Sequence, residues 1–471
     1  MTDARLRLLP SDPDSIPFHQ RLRMNNDPAH TTVEDESFDE FDPGLVQLLL
    51  VAALAGCLVG LAGGAFHWAL LHGSAAFLGF ISDLRTEGTS AIPGWLIAMT
   101  LAGLSVGLAR YLVKFAPEAA GSGVQHVEAV MRGDAKPAGL IVLPIKFFGG
   151  LLAMVPGMAL GREGPTIQMA AVIGTECGKI FGLQKADRTL LYTAVAGCGL
   201  SVAFNAPLAG AAFVIEEVAK RITVRRVLAC LTAVGTSMAV YRGLFGDQLS
   251  FALGEVTQAT GAELIFFVAL GMLMGLLGVL YNKTILSGLD AYAAIAPRTS
   301  PWIKTGVIGS LFGLMAYFHP GFVGSGEIQV NILLAGQYGT YTLLMLLAVR
   351  WVMGPLSYTS GTPGGVFAPL LLVGAVVGAL FAQSINLVTV DLGITLNSEA
   401  FALVAMAAFF TGVVRAPVTG VLLICEMSGT VALMIPLLLA CVGATVVASL
   451  LRGDPIYDSL RARMKPQDDR P

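Results

Sequence analysis

A carboxylate inside apolar sequence is the first group here with chemistry to offer. Glu163 lies in Gly161-Arg162-Glu163-Gly164-Pro165, between two apolar stretches. An ionised acid at membrane depth costs several kcal/mol, about 2.5–3.5 for Asp on insertion scales, so it is rarely idle. In an anion pathway such a group has two states. Ionised, it occupies an anion's place and blocks it; protonated, it withdraws and lets the anion pass. Neighbouring anions raise its proton affinity and helix N-termini lower it. One side chain would then couple proton and anion occupancy. The structural alternative is a partner for Arg162, its neighbour.

Other polar groups stand in comparable surroundings. Glu216-Glu217 ends an apolar run just before Lys220, Arg221, Arg225 and Arg226. Acids there are commonly solvated or paired with those cations. Ser122 lies in Gly121-Ser122-Gly123, where a serine by itself reads as a helix cap. Lys146 and Glu128 lie in apolar sequence and are expected to pair; Lys146 would alternatively lend positive potential to a pathway.

The elements that must position these groups follow from composition. The chain has 471 residues, 55% hydrophobic and only 13% charged, with a mean hydropathy of +0.72. A soluble domain carries about 25% charge. Several water-soluble domains, a disordered chain and a secreted disulfide scaffold are therefore excluded. A net charge of −3 with no basic domain excludes a nucleic-acid binder. Apolar stretches run at about 44–71, 93–114, 139–160, 190–215, 226–245, 262–281, 301–318, 340–356, 364–387, 398–425 and 430–451. They are continuous rather than alternating, so the spans are helices and not barrel strands. Segments such as 166–182 and 364–374 are short or cut by Gly and Pro. Residues 1–43 form a polar tail with ten acids against four arginines, and it lacks the pattern of a signal peptide. Its acidic run from Glu34 to Asp42 reads as solvated. The basic loop after the 190–215 run sets that end on the cytoplasmic side. The six cysteines form no C-x-x-C pair and the six histidines no ligand spacing, so neither metal nor cofactor is implied.

Three landmarks occur twice, in the same order. Gly121-Ser122-Gly123 returns as Gly324-Ser325-Gly326. Gly161-Arg162-Glu163-Gly164-Pro165 returns as Gly364-Gly365-Val366-Phe367-Ala368-Pro369. Ala206-Pro207-x-x-Gly210 with Glu216 returns as Ala416-Pro417-x-x-Gly420 with Glu426. The offsets are about 203, 204 and 210 residues. We read an internal duplication: a tail at 1–43, repeats at 44–245 and 246–451, and a short C-terminal segment at 452–471. Duplicated halves with broken helices are the pattern of a transporter with its site at the repeat interface. A Gly-rich break that opens a new helix points unpaired N–H groups and a positive dipole end at an anion.

At these residues the chain resembles the CLC family of chloride channels and proton-coupled chloride exchangers, in its bacterial exchanger branch. The resembling motifs are G-S-G-V-Q at 121–125, G-R-E-G-P at 161–165, G-G-V-F-A-P at 364–369, N-A-P-L-A-G at 205–210 with Glu216-Glu217, and D-P-I-Y at 454–457. The resemblance implies an all-α polytopic fold of two inverted-topology repeats, whose broken helices meet at a midplane anion site. It also implies a homodimer with one pathway per subunit, in a bacterial inner membrane with both termini cytoplasmic. By position, Ser122 and Tyr457 resemble the hydroxyls that bind the central anion, and Val366 and Phe367 the pair offering backbone N–H groups. Arg162 and Gly164 are counted with them among the chloride-binding residues. Glu163 resembles the gating glutamate and Glu217 the internal proton glutamate, with Glu216, Lys146 and Glu128 supporting.

Gln125 and His126 depart from the Pro and Glu of many members, so the helix after Ser122 is expected to start differently. Ser122 favours chloride over nitrate, and Ser122 with Tyr457 argues against the fluoride-exporting branch. No nucleotide-binding CBS pair is expected after the membrane part. The function implied is secondary active exchange of chloride for protons. The alternative is a passive chloride channel of the same fold; channels commonly lack an acid at the position of Glu217. An intramembrane hydrolase using Ser122 or Ser360 would need a histidine or lysine base in the same motif, and none is there.

Overall fold

Glycine and proline decide where the apolar runs of this chain stop being one helix. The computed structural model describes residues 43–86, 92–219, 223–251, 261, 263–295, 297–389 and 395–464. The acidic tail and the cations Lys220 and Arg221 lie outside these. Of the unit Met1–Val46, only the opening of the first helix is described; the fold below belongs to the unit Gln47–Pro471.

The first half of the chain contributes α1 (Pro43–Thr86), α2 (Gly94–Leu112), α3 (Val124–Arg132), α4 (Val142–Met154), α5 (Glu163–Ile180), α6 (Lys185–Ala194), α7 (Ala196–Phe204), α8 (Pro207–Phe213) and α9 (Val224–Phe245). The second half contributes α10 (Leu264–Ala294), α11 (Pro301–Phe318), α12 (Glu327–Leu334), α13 (Thr340–Thr359), α14 (Phe367–Thr389), α15 (Ser398–Val414), α16 (Pro417–Ser428) and α17 (Met434–Leu450). A short α18 (Ile456–Ala462) follows. Among the described residues, six helices are long and apolar enough to cross a membrane. This is a multi-pass membrane protein.

The 190–215 run is not the single helix that its composition suggests. It is divided among α6, α7 and α8, and continues as a π-helical turn over Val214–Ala219. Asn205 takes the left-handed conformation at φ 54°, and Ala206-Pro207 then opens α8. The 398–425 run breaks in the same way. Arg415 stands at φ 71°, and Ala416-Pro417 opens α16. Asn tolerates this conformation; for Arg it is uncommon. Arg415 is held there by side-chain bonds to the carbonyls of Gly412 and Gly453.

Contacts between the halves are reciprocal. Gly161 and Gly365 exchange backbone hydrogen bonds at 2.9 and 2.8 Å in an isolated antiparallel bridge. Glu216 accepts the N–H groups of Val418 and Thr419 at the start of α16, at 3.0 and 2.8 Å. Glu426 accepts those of Leu208 and Ala209 at the start of α8, at 3.0 and 2.8 Å. Exchange in which i meets j′ and j meets i′ is the mark of a two-fold relation. The two repeats are related in this two-fold way, as the inverted-repeat reading requires, and each supplies the carboxylate that caps a broken helix of the other.

Candidate anion and proton site

The Ser122 loop is fixed from below by a buried cation. Gly123 takes φ 89° and ends the turn, so α3 starts at Val124 without the family's proline. Lys146, fully buried on α4, donates to the carbonyls of Gly121 and Ser122 at 2.7 and 2.9 Å. The expected pair with Glu128 is not made: the ammonium reaches the loop carbonyls instead. The second repeat repeats this device. Arg350, buried on α13, donates to the carbonyls of Val323 and Gly324. Sequence reading passed over Arg350. The signal was available, because Lys146 lies 24 residues after Ser122 and Arg350 lies 25 after Ser325, nearly the same spacing.

Glu163 begins α5 and is fully buried. Its Oε1 accepts the backbone N–H of Phe367 at 2.8 Å, at the start of the 23-residue α14. The carboxylate thus occupies the positive end of a long helix, where an anion is electrostatically favoured. It is wedged against Gly161 and Gly365, where a Cβ on either would displace it from this position. Gly164 is needed for a similar reason: a Cβ there would fall 2.5 Å from Ser122 Oγ. Val366, also buried, accepts the first turn bond of α14 from Leu370 at 3.0 Å.

Ser122 Oγ and the Tyr457 hydroxyl are both buried, neighbour each other, and meet no other hydrogen-bond partner among the described residues. Tyr457 lies on α18, its ring 5.9 Å from that of Phe367, with Glu163, Ser122, Tyr358 and Glu128 as its polar neighbours. Two hydroxyl donors and the N–H groups opening α14 therefore converge on one place. A dehydrated halide is recognised by such a set. Asp458, next to Tyr457, pairs with Arg132 and Arg461, and Arg461 reaches Asp134, tying α18 to the end of α3.

Arg162 points the other way. It donates to the Ala203 carbonyl at 2.7 Å and forms its ion pair with Glu327 at 3.1 Å rather than with Glu163. It lines a cavity of about 380 Å³ with His67, Asn205, Tyr241 and Glu327. Phe204, whose ring packs on Phe367, forms another part of that wall. Glu327 is a residue that sequence reading missed; it follows the second G-S-G directly.

Adjacent acids diverge in the π-helical turn. Glu216 leaves the turn to cap α16, and Thr419 Oγ1 adds a third bond at 2.8 Å. Glu217 is buried. Adjacent side chains of a helical turn leave it in different directions, so Glu217 does not share the cap that Glu216 makes.

A polytopic helical fold of two inverted halves, with broken helices aimed at a buried carboxylate, defines a membrane transport protein of the inverted-repeat class. The chain belongs to the voltage gated chloride channel family, whose model matches residues 101–449. It is 37% identical over 436 residues to an H(+)/Cl(−) exchange transporter ClcA of Vibrio parahaemolyticus, covering 89% of this chain and 90% of that protein. It is 35% identical over 428 residues to one of Cronobacter sakazakii, covering 88% and 89%. Among solved structures it matches a slow cyanobacterial Cl−/H+ antiporter, with a TM-score of 0.83 and 30% identity over 90% of this chain and 99% of that one. A eukaryotic CLC transporter shares the fold, with a TM-score of 0.74 at 22% identity, covering 89% of this chain and 74% of that one.

Proposed function

We propose that this protein is a secondary active antiporter exchanging chloride for protons across a bacterial inner membrane. It works as a homodimer with one pathway per subunit and both termini in the cytoplasm. The observation that carries this is the Glu163 carboxylate on the Phe367 N–H. A group that is an anion when ionised sits where an anion would be held, so the proton and chloride compete for one place. Ser122 and Tyr457 supply the hydroxyls of the central site, Val366 and Phe367 its backbone donors, and Gly164 the room beside Ser122. Glu217 passes protons on the cytoplasmic side, and Glu128 and Lys146 set the local field. Glu216 is assigned a structural task, capping α16. Arg162 belongs to the approach rather than to the central site. The exchange activity named for its relatives supports this reading.

A proteoliposome assay recording chloride and proton flux together tests it. Under a chloride gradient, uphill proton movement is expected. A reversal potential at the chloride Nernst value with no proton flux would instead identify a passive channel.

A further inference from the structure

Helices α2 and α11 pack along small residues. Gly103 lies against Gly306 and Ser310, Gly309 against Ala102, and Gly313 against Ala98. Their outer faces leave a trough of about 680 Å³, lined by Gly103, Leu104, Gly107, Gly306 and Val307 among others. Leu104 and Val307 are strongly exposed there, so the trough opens onto the lipid face. At one end it reaches Tyr111 and Trp302. The same two aromatics line a second cavity, of about 490 Å³. This one is polar. It holds Arg110 and Lys114, at and just beyond the end of α2, and Ser300-Pro301, where α11 begins. An apolar trough thus runs into a cationic pocket, with two amphipathic aromatics at the junction. That is the order of a membrane interface.

The charge in the pocket is not neutralised from within. Among the described residues, Arg110 and Lys114 have no ion-pair partner. Arg110 Nε is shielded from solvent yet has no hydrogen-bond partner. The Ser300 side chain does not cap α11, which leaves the positive end of an 18-residue helix facing the same cavity. We propose that this groove binds one anionic phospholipid, its phosphate held by Arg110, Lys114 and the start of α11, and an acyl chain along the glycine-lined trough. Ordinary lipid coating the protein would need the trough but not the cations. The guanidinium of Arg110 also lies close against Gly361, three residues before Gly364, whose N–H donates to the Gly121 carbonyl. A bound headgroup would therefore sit one side chain from the loop that meets Ser122.

The test is native mass spectrometry of the full chain in detergent, titrated with phosphatidylglycerol or with phosphatidylcholine of the same acyl chains. One phosphatidylglycerol per chain is expected to survive activation that strips phosphatidylcholine. The preference should be about tenfold or more, the scale two cations supply at a membrane surface. Arg110→Gln with Lys114→Gln should reduce retention to the phosphatidylcholine level. Val307→Trp, which fills the trough from its exposed side, should weaken retention of both lipids. If the double variant does not remain monodisperse, Lys114→Gln and Val307→Trp alone carry the comparison. Equal retention of the two lipids by the unmodified protein, or an undiminished preference in the cation variants, would overturn the proposal. So would displacement of the lipid by millimolar glycerol 3-phosphate, which would mark a soluble phosphate pocket instead.

Discussion

Glu163 and Phe367 occupy matching places in the two repeats, and the carboxylate of the first accepts the backbone N–H of the second at 2.8 Å. The duplicated position is occupied by an acid in one copy and by an aromatic residue in the other. One copy supplies a titratable anion. The other supplies the helix end that holds it and, through its ring, a wall packed on Phe213, Phe410 and Tyr457.

Glu163→Gln is expected to let chloride flow without proton coupling. The amide imitates the protonated carboxyl and cannot compete as an anion for the N–H groups of α14. Paired chloride and proton recordings in proteoliposomes check this. Continued chloride-driven proton pumping would remove Glu163 from the role of gate.

Tyr457→Phe keeps the ring packed and deletes one hydroxyl donor. Losing one hydrogen bond to a charged ligand is worth about 1.5–3 kcal/mol, so chloride affinity measured by calorimetry should fall at least tenfold. Ser122→Pro should move selectivity towards nitrate. Unchanged affinity and selectivity in both variants would put the inner site elsewhere.

The two adjacent glutamates should fail differently. Glu217→Gln is expected to abolish proton flux and leave chloride flux largely intact. Glu216→Gln should lower stability by about 1–2 kcal/mol through a weakened cap, with proton flux retained. Glu426→Gln, at the mirrored cap, should match it in thermal unfolding. Proton flux lost in Glu216→Gln and kept in Glu217→Gln would reverse the assignment.

Lys146→Met removes both donors to the Gly121 and Ser122 carbonyls. Leaving buried acceptors unpaired costs about 1–3 kcal/mol. We expect a lower unfolding temperature together with weaker chloride binding, because the same ammonium fixes the loop and supplies its positive field. A stability loss with unaltered chloride binding would restrict Lys146 to a structural part.

The helical class, the duplication and the motif residues were legible in the sequence, because glycine and proline mark breaks whatever the tertiary setting. Pro207 marked a landmark, but the left-handed turn at Asn205 that ends α7 was not legible. Its signal is a backbone angle that Asn tolerates and does not enforce, inside a run apolar enough for one helix. Glu216 was legible as an acid at a helix end, but its partners are more than two hundred residues away, at Val418 and Thr419. Lys146 was given a carboxylate partner because opposite charges in apolar sequence invite pairing. Backbone carbonyls turned by Gly121 and Gly123 satisfied it instead, and carbonyl orientation is invisible in a list of side chains.

The reciprocal caps and the Gly161–Gly365 bridge also restrict how such a molecule can move. Many duplicated transporters work by rocking one half against the other. Here that motion would break the exchanged glycine bonds and uncover the N-termini of α8 and α16 together, leaving four helix-opening N–H groups and two carboxylates without their partners. For the exchange proposed above, these contacts favour small parts moving against a nearly fixed frame. In the proposed exchanger the part expected to move is the Glu163 side chain, which releases the Phe367 N–H when it is protonated.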